Sequence, residues 1–179
     1  MSTSPAWQLP RRCTPSPAPL TVEGPRSSRH GRASAGAARG ARATTAVVAK
    51  HAAGARFNEG VAFSEQKNWP EALKAFRAAV DADPKMSEAW LAISVAEWLM
   101  IGGKHSEAEY VPLTRCIKLD PNNAVAHGSL GHVQMRVRKD PAKAEESFRE
   151  AIRLDPKHPM PHWNYSLLLE KQGDWTGAI

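Results

Sequence analysis

Acidic residues are nearly missing from the first 52 positions of this 179-residue chain, where Glu23 stands alone against eight Arg or Lys, a net charge of +7. Positions 53–179 hold the other 16 bases and 17 acids, so the overall +6 belongs to the N-terminal stretch and the rest is close to neutral. A near-neutral fold lacks the basic footprint that phosphate recognition requires, which makes nucleic acid a poor partner for it. Cysteine is scarce: Cys13 and Cys116 suggest neither a disulfide framework nor a thiolate metal site. Long apolar runs are absent as well. The most apolar stretch, Trp90 to Ile101, contains Glu97 and is too short to span a bilayer. No glycine-rich phosphate loop, Gly-x-Ser-x-Gly turn or pair of catalytic carboxylates occurs, so the sequence points to no enzyme and to no cofactor or small-molecule substrate. His158 and His162 stand four apart, but Pro159 and Pro161 intervene and no third ligand follows, so a metal site is not expected. Asn164-Tyr165-Ser166 fits the glycosylation sequon by chance, since it falls within a helical pattern in a chain without a secretory signal.

What residues 1–52 do contain is Ser, Thr, Ala, Pro and Arg, with Trp7, Leu9 and Leu20 among few large apolar side chains. Such a stretch buries too little apolar surface to offset its ordering entropy, and disorder is expected there. Basic, hydroxyl-rich and acid-poor composition marks an organellar transit peptide. The Ala/Arg stretch from Arg29 to Arg42 is similar to plastid transit peptides of green algae, and Val47-Val48-Ala49 resembles a plastid processing site, with a mature start near Lys50. The expected address is the plastid (chloroplast) stroma ahead of the mitochondrion, with the cytoplasm as the alternative if the segment is not a transit peptide.

From residue 53 a pattern recurs: small residue, Phe or Leu, small residue, Asp-Pro. It runs Ala72, Phe76, Ala79, Asp83-Pro84 and again Ala144, Phe148, Ala151, Asp155-Pro156, with a weaker copy at Glu109, Leu113, Cys116, Asp120-Pro121. The prolines lie 37 and 35 residues apart, and self-similarity at that period signals stacked helical hairpins. Pro70 suits the first turn of a second helix, and Asp83-Pro84 ends it because the residue before proline is pushed out of the α region. Gly60 and Ala72 would let two backbones approach closely, with Phe63 and Phe76 filling the flanks. Six residues after each proline comes a Trp or His: Trp90, His127 and His162.

These residues resemble the tetratricopeptide repeat family, through Gly60, Phe63, Ala72, Phe76, Ala79 and Pro84 in a first unit, Trp90, Cys116 and Pro121 in a second, Leu130, Gly131, Ala144, Phe148, Ala151 and Pro156 in a third, and Tyr165, Leu169, Gly173 and Ala178 in a fourth. The resemblance implies an all-α, tetratricopeptide-type helical-hairpin solenoid of about three and a half repeats at 53–86, 87–123, 124–158 and, in part, 159–179. Two departures stand out. The second unit carries an insertion around Ile101-Gly102-Gly103-Lys104-His105 and a Glu109 where a small residue belongs, so a looser hairpin is expected. The third has one extra residue near Arg138-Lys139-Asp140. The fourth unit breaks off at Ile179 without a capping helix, and the chain is expected to continue as part of a longer one.

In this family the first helices line a concave groove. Its phase on this chain implies partner-binding positions at Phe57, Leu91, Trp98, Met135, Arg136, Met160, Trp163 and Leu167, with Val61, Val95, Leu99, Val125 and His132 alongside. An apolar, aromatic groove suits a peptide or amphipathic helix. The mode in which such repeats grip a terminal carboxylate is disfavoured, because the corresponding positions hold Phe57, Val61, Ala92, Val125 and Ser129, and charge-assisted donors are missing. The expected function is a non-catalytic protein–protein interaction scaffold or an assembly or chaperone adaptor. The alternatives are the repeat region of a larger protein, an enzyme included, or a helical-repeat RNA binder.

Overall fold

The computed structural model describes residues 33–173, with side chains from residue 45 onward. Among the described residues there are seven α-helices and no strand: α1 (Ala33–Glu65), α2 (Trp69–Ala82), α3 (Ser87–Met100), α4 (Tyr110–Leu119), α5 (Ala124–Arg136), α6 (Pro141–Leu154) and α7 (Pro159–Gln172). A single 3-10 turn, Glu107–Glu109, precedes α4. Three antiparallel hairpins, α1/α2, α3/α4 and α5/α6, stack in chain order, and α7 opens a fourth unit against α5 and α6.

The Asp-Pro signature ends helices by a side-chain mechanism. Asp83, Asp120 and Asp155 each accept the backbone N–H two residues on, at 3.1, 3.2 and 3.2 Å. Such a turn gives the backbone an alternative to continuing the helix. The Trp or His six residues after each proline has an equally local cause. Trp90 Nε1, His127 Nε2 and His162 Nε2 each reach back to the carbonyl of Pro84, Pro121 or Pro156, at 2.9, 3.0 and 3.0 Å. The shared requirement is a ring N–H at the right reach, which explains why indole and imidazole interchange here. His158 Nδ1 meanwhile accepts from the Met160 N–H.

Close approach within each hairpin follows the small residues. Phe76 and Phe148 are fully buried and lie against Gly60 and Gly131, the positions where a first helix comes nearest its partner. In the second hairpin Leu113 replaces the Phe, and Ser94 takes the glycine's place four residues after Trp90, just as Gly131 follows His127. The smaller leucine leaves room for the serine hydroxyl, which bonds the Leu91 carbonyl at 2.8 Å. Apolar clusters then join neighbouring units. Phe57, Phe76 and Val80 pack with Ile93, while Leu91, Leu113 and Cys116 pack with Val133. Each full burial of such a side chain contributes on the order of 1.5–3 kcal/mol, so a lone hairpin would forfeit much of its stabilisation. Burial also pushes the Cys116 thiol up to about 12, with Asp120 and Glu88 adding to the shift, and leaves it inert.

Residues 1–32 of the N-terminal segment lie outside the described residues, and α1 begins at Ala33, inside the segment whose composition suggests disorder. Alanine dominates that stretch and ranks highest in helix propensity, which favours extension of the helix. The expectation of a looser second hairpin needs correction. Its connection is longer, but it is not slack, because Glu109 is buried at 2% exposure and ties the inserted loop down. The first and third hairpins both turn through a lysine at positive φ, Lys67 at 58° and Lys139 at 54°, and in the third Asp140 then caps α6 by accepting from the Lys143 N–H.

Candidate functional site

The stack holds a pocket of about 630 Å³, walled by α3, α5 and α7 and roofed by the inserted loop. Each wall follows from a local feature of the sequence. α3 stops because Gly102 and Gly103 adopt φ of 72° and 78°, a region open to glycine. The Gly103 N–H bonds back to the Trp98 carbonyl at 2.9 Å, and the Gly102 N–H to Leu99 at 3.1 Å. This reversal lays Gly103 over the Trp98 indole and delivers His105 to its face, with ring centroids 6.0 Å apart.

His105 is the hinge of the site. Its ring stacks at 4.7 Å on His132 of α5, which in turn meets Phe148 edge-on at 5.6 Å. The His105 Nδ1 donates to Glu109 Oε2 at 2.9 Å, while Glu109 Oε1 accepts the Ser106 N–H at 2.7 Å. Both carboxylate oxygens are thus taken, one capping the 3-10 turn and one holding the imidazole. A row of aromatic rings from Trp98 to Phe148 results, crossing from the second unit to the third.

His132 is kept neutral. Burial is the main cause, the neighbouring His105 and Arg136 add to it, and the imidazole falls to about 4. Its Nε2 accepts a hydrogen bond from the Asn164 side-chain amide on α7. Asn164 is 1% exposed, and its Oδ1 has no partner. Trp98 Nε1, buried in the same pocket, has none either. Buried polar groups are nearly always satisfied, so a donor and an acceptor left without partners beside one cavity are exceptions. Val95, Val125, Met160 and Pro161 supply apolar wall, and Lys104 and Arg136 are exposed cations on the lining. Neither is ion-paired among the described residues.

Of the partner-binding residues expected from sequence, the pocket brings together Trp98, Arg136 and Met160. Phe57, Leu91 and Met135 are core instead. Phe57 packs on Phe76 inside the first hairpin with centroids 5.5 Å apart, and Leu91 and Met135 fill the two later clusters. A first helix is covered both by its own second helix and by the next unit, so those phases turn inward. Trp163 is 60% exposed and Leu167 half-buried, and neither lines the pocket. Lys104, His105, Glu109 and Asn164 were not anticipated as site residues. The insertion itself was the available signal for the first three, because extra residues in one copy of a repeat gather on one face. For Asn164 there was no signal beyond its repeat phase.

No cluster of three or more His, Cys, Asp or Glu able to hold a metal ion occurs among the described residues. No helix there is long and apolar enough to cross a membrane.

Comparison with known proteins follows the architecture. The profile of the tetratricopeptide repeat matches residues 28–87, 57–111 and 129–179. The chain is 28% identical over 113 residues to the Caenorhabditis elegans tetratricopeptide repeat-containing protein trd-1, covering 63% of this chain and 14% of that one. It is 27% identical over 104 residues to the human protein O-mannosyl-transferase TMTC3, covering 58% of this chain and 11% of that one. Among solved structures, the first tetratricopeptide domain of Spaghetti (RPAP3) bound to the HSP90 peptide SRMEEVD superposes with a TM-score of 0.63 at 14% identity, covering 69% of this chain and 95% of that domain.

Proposed function

This chain belongs to the tetratricopeptide repeat family, and on that premise we propose that it is a protein-interaction scaffold that seats a peptide or helix of its partner in the groove between α3, α5 and α7. The observation that carries the reading is the pocket, where a buried indole N–H and a buried amide oxygen wait without partners beside an apolar wall. An interior polar atom costs about 1–3 kcal/mol when left unsatisfied, a penalty that binding relieves. Among the lining side chains the Trp98 indole is large and rigid and loses little entropy on contact, which suits it as an anchor. The work is assembly or adaptor work rather than catalysis. The bound peptide in the structure of the RPAP3 domain lends support, since it lies on a domain of the same fold.

The test is a photo-crosslinking benzophenone amino acid placed at Met160, with a control at Lys74, whose side chain is 80% exposed on α2. Polypeptide adducts at Met160 that are absent at Lys74, and weakened by Trp98→Ala at unchanged helicity, are the expected outcome. Adducts at Lys74 alone would move the binding surface off the groove.

The share of the curated relatives that the chain spans, 14% and 11%, supports a second reading in which the array is one region of a longer protein with a further activity. The intact mass of the endogenous protein distinguishes the two. As to address, we propose that residues 1–52 direct import into the plastid stroma.

A further inference from the structure

The inserted loop gives the groove a charge preference. Lys104, in the loop, and Arg136, at the end of α5, line the pocket as exposed cations without ion-pair partners among the described residues. The pocket's one acid offers nothing to a guest, because both Glu109 oxygens are engaged by His105 and the Ser106 N–H and the side chain is 2% exposed. His132 has its Nε2 occupied by the Asn164 amide. What remains for a guest is a buried donor, Trp98 Nε1–H, two cations and one buried acceptor, Asn164 Oδ1.

We infer that this pocket receives an internal Asp or Glu side chain of an extended partner peptide, with its carboxylate on Trp98 Nε1–H between Lys104 and Arg136. The inference rests on the groove reading above and names the chemistry of its partner. A carboxylate satisfies the indole donor and is drawn by both cations, and hydrogen bonds to ionised groups are the stronger kind. Asn164 Oδ1 separates a peptide from a free anion: it needs a donor, which a peptide N–H supplies and an inorganic anion does not. The apolar wall of Val125, Met160 and Pro161 then takes a neighbouring large aliphatic or aromatic side chain. The insertion makes the site, since without it Lys104 and His105 are gone and Trp98 loses its cover.

The test is selection by the full chain from a random library of twelve-residue peptides displayed on phage through their C-termini, so that no terminal carboxylate is free. The expected result is enrichment of Asp or Glu at one position beside Leu, Met or Phe. A synthetic, amidated form of the selected peptide should bind at least tenfold more weakly after its acid is changed to the isosteric amide, and several-fold more weakly between 50 and 300 mM salt. Lys104→Glu with Arg136→Glu should remove at least tenfold of the affinity. Both side chains are exposed, so the variant keeps its fold, which circular dichroism checks. Trp98→Phe, which keeps the ring and deletes the N–H, should cost several-fold. Selected peptides without an acid, or indifferent to the acid-to-amide change or to the double variant, overturn the inference and leave the groove reading standing. Enrichment of nothing overturns both.

Discussion

A methyl group added at Gly131 would lie 2.6 Å from Phe148 Cε1 and 2.7 Å from its Cδ1, inside any permissible contact. Phe148 is fully buried and cannot yield, so either the ring leaves its rotamer or α5 moves away from α6. Overpacking of this kind costs about 1–3 kcal/mol. Gly131→Ala should therefore lower the urea midpoint clearly, despite alanine's better helix propensity. Gly128→Ala serves as the control, because its added carbon meets Pro161 at 3.6 Å and Ala151 at 3.9 Å, both ordinary contacts, and it should leave stability equal or higher. His132 makes a different prediction, one of pH. Its folded-state value of about 4 lies below the ordinary 6.5, so between those values the unfolded chain takes up a proton that the folded chain refuses. The stabilisation is fully present above pH 6.5 and is lost as pH falls towards 4, by an amount on the order of 2–3 kcal/mol. Urea midpoints of the wild type and of His132→Gln, compared at pH 7 and 4.5, should converge at the lower pH. A constant gap would mean that the imidazole does not titrate against the fold.

Among the elements, the inserted loop and α1 are where the structure departs furthest from the sequence pattern. The repeat period, the Asp-Pro stops and the ring N–H six residues later were all legible, because each is enforced by contacts within a few residues of chain. The closure of the loop was not, since it depends on His105 meeting His132 twenty-seven positions away and on Glu109 turning inward. A lone Glu in a small-residue position signals a misfit until its two partners are seen. The groove face was only half legible for a related reason. α3 carries Trp90, Leu91, Ile93, Val95, Trp98 and Leu99 nearly all round, so periodicity cannot separate the side facing the groove from those facing other helices. Hence the pattern did not show that Trp98 lines the pocket while Leu91 packs in the core. The loop's energetics can be measured directly. Glu109→Ala strips His105 and the Ser106 N–H of their acceptor and opens a void at a buried position, a change expected to cost about 2–4 kcal/mol. Its distinguishing outcome is local: the Gly102 and Gly103 amides, bonded to Leu99 and Trp98, should lose hydrogen-exchange protection more than those of α6. Equal loss in both places would make Glu109 a general core residue rather than the anchor of the loop.

Across the whole chain, charge and packing divide at nearly the same point. The +7 of residues 1–52 ends just before Ala53, which is fully buried and is the first described core residue, followed by Phe57 at 2% exposure. Val47 and Val48 are 55% and 68% exposed, and His51 makes only a local bond, from its Nδ1 to the Val47 carbonyl at 2.8 Å. A helical stretch whose described side chains are mostly exposed opens locally at little cost, and such stretches are where proteases cut. The transit-peptide reading therefore makes a joint prediction. Residues 1–52 fused ahead of a fluorescent reporter should carry it to the plastid, and the imported protein should begin near Lys50. Because the first described core side chain, Ala53, lies beyond that cut, the processed form should melt within about 2 °C of the full chain, a shift corresponding to well under 1 kcal/mol. A reporter sent to the mitochondrion or left in the cytoplasm would refute the address. A large drop in melting temperature on processing would instead show that the first half of α1 belongs to the folded stack, and that its exposed valines are covered in the cell.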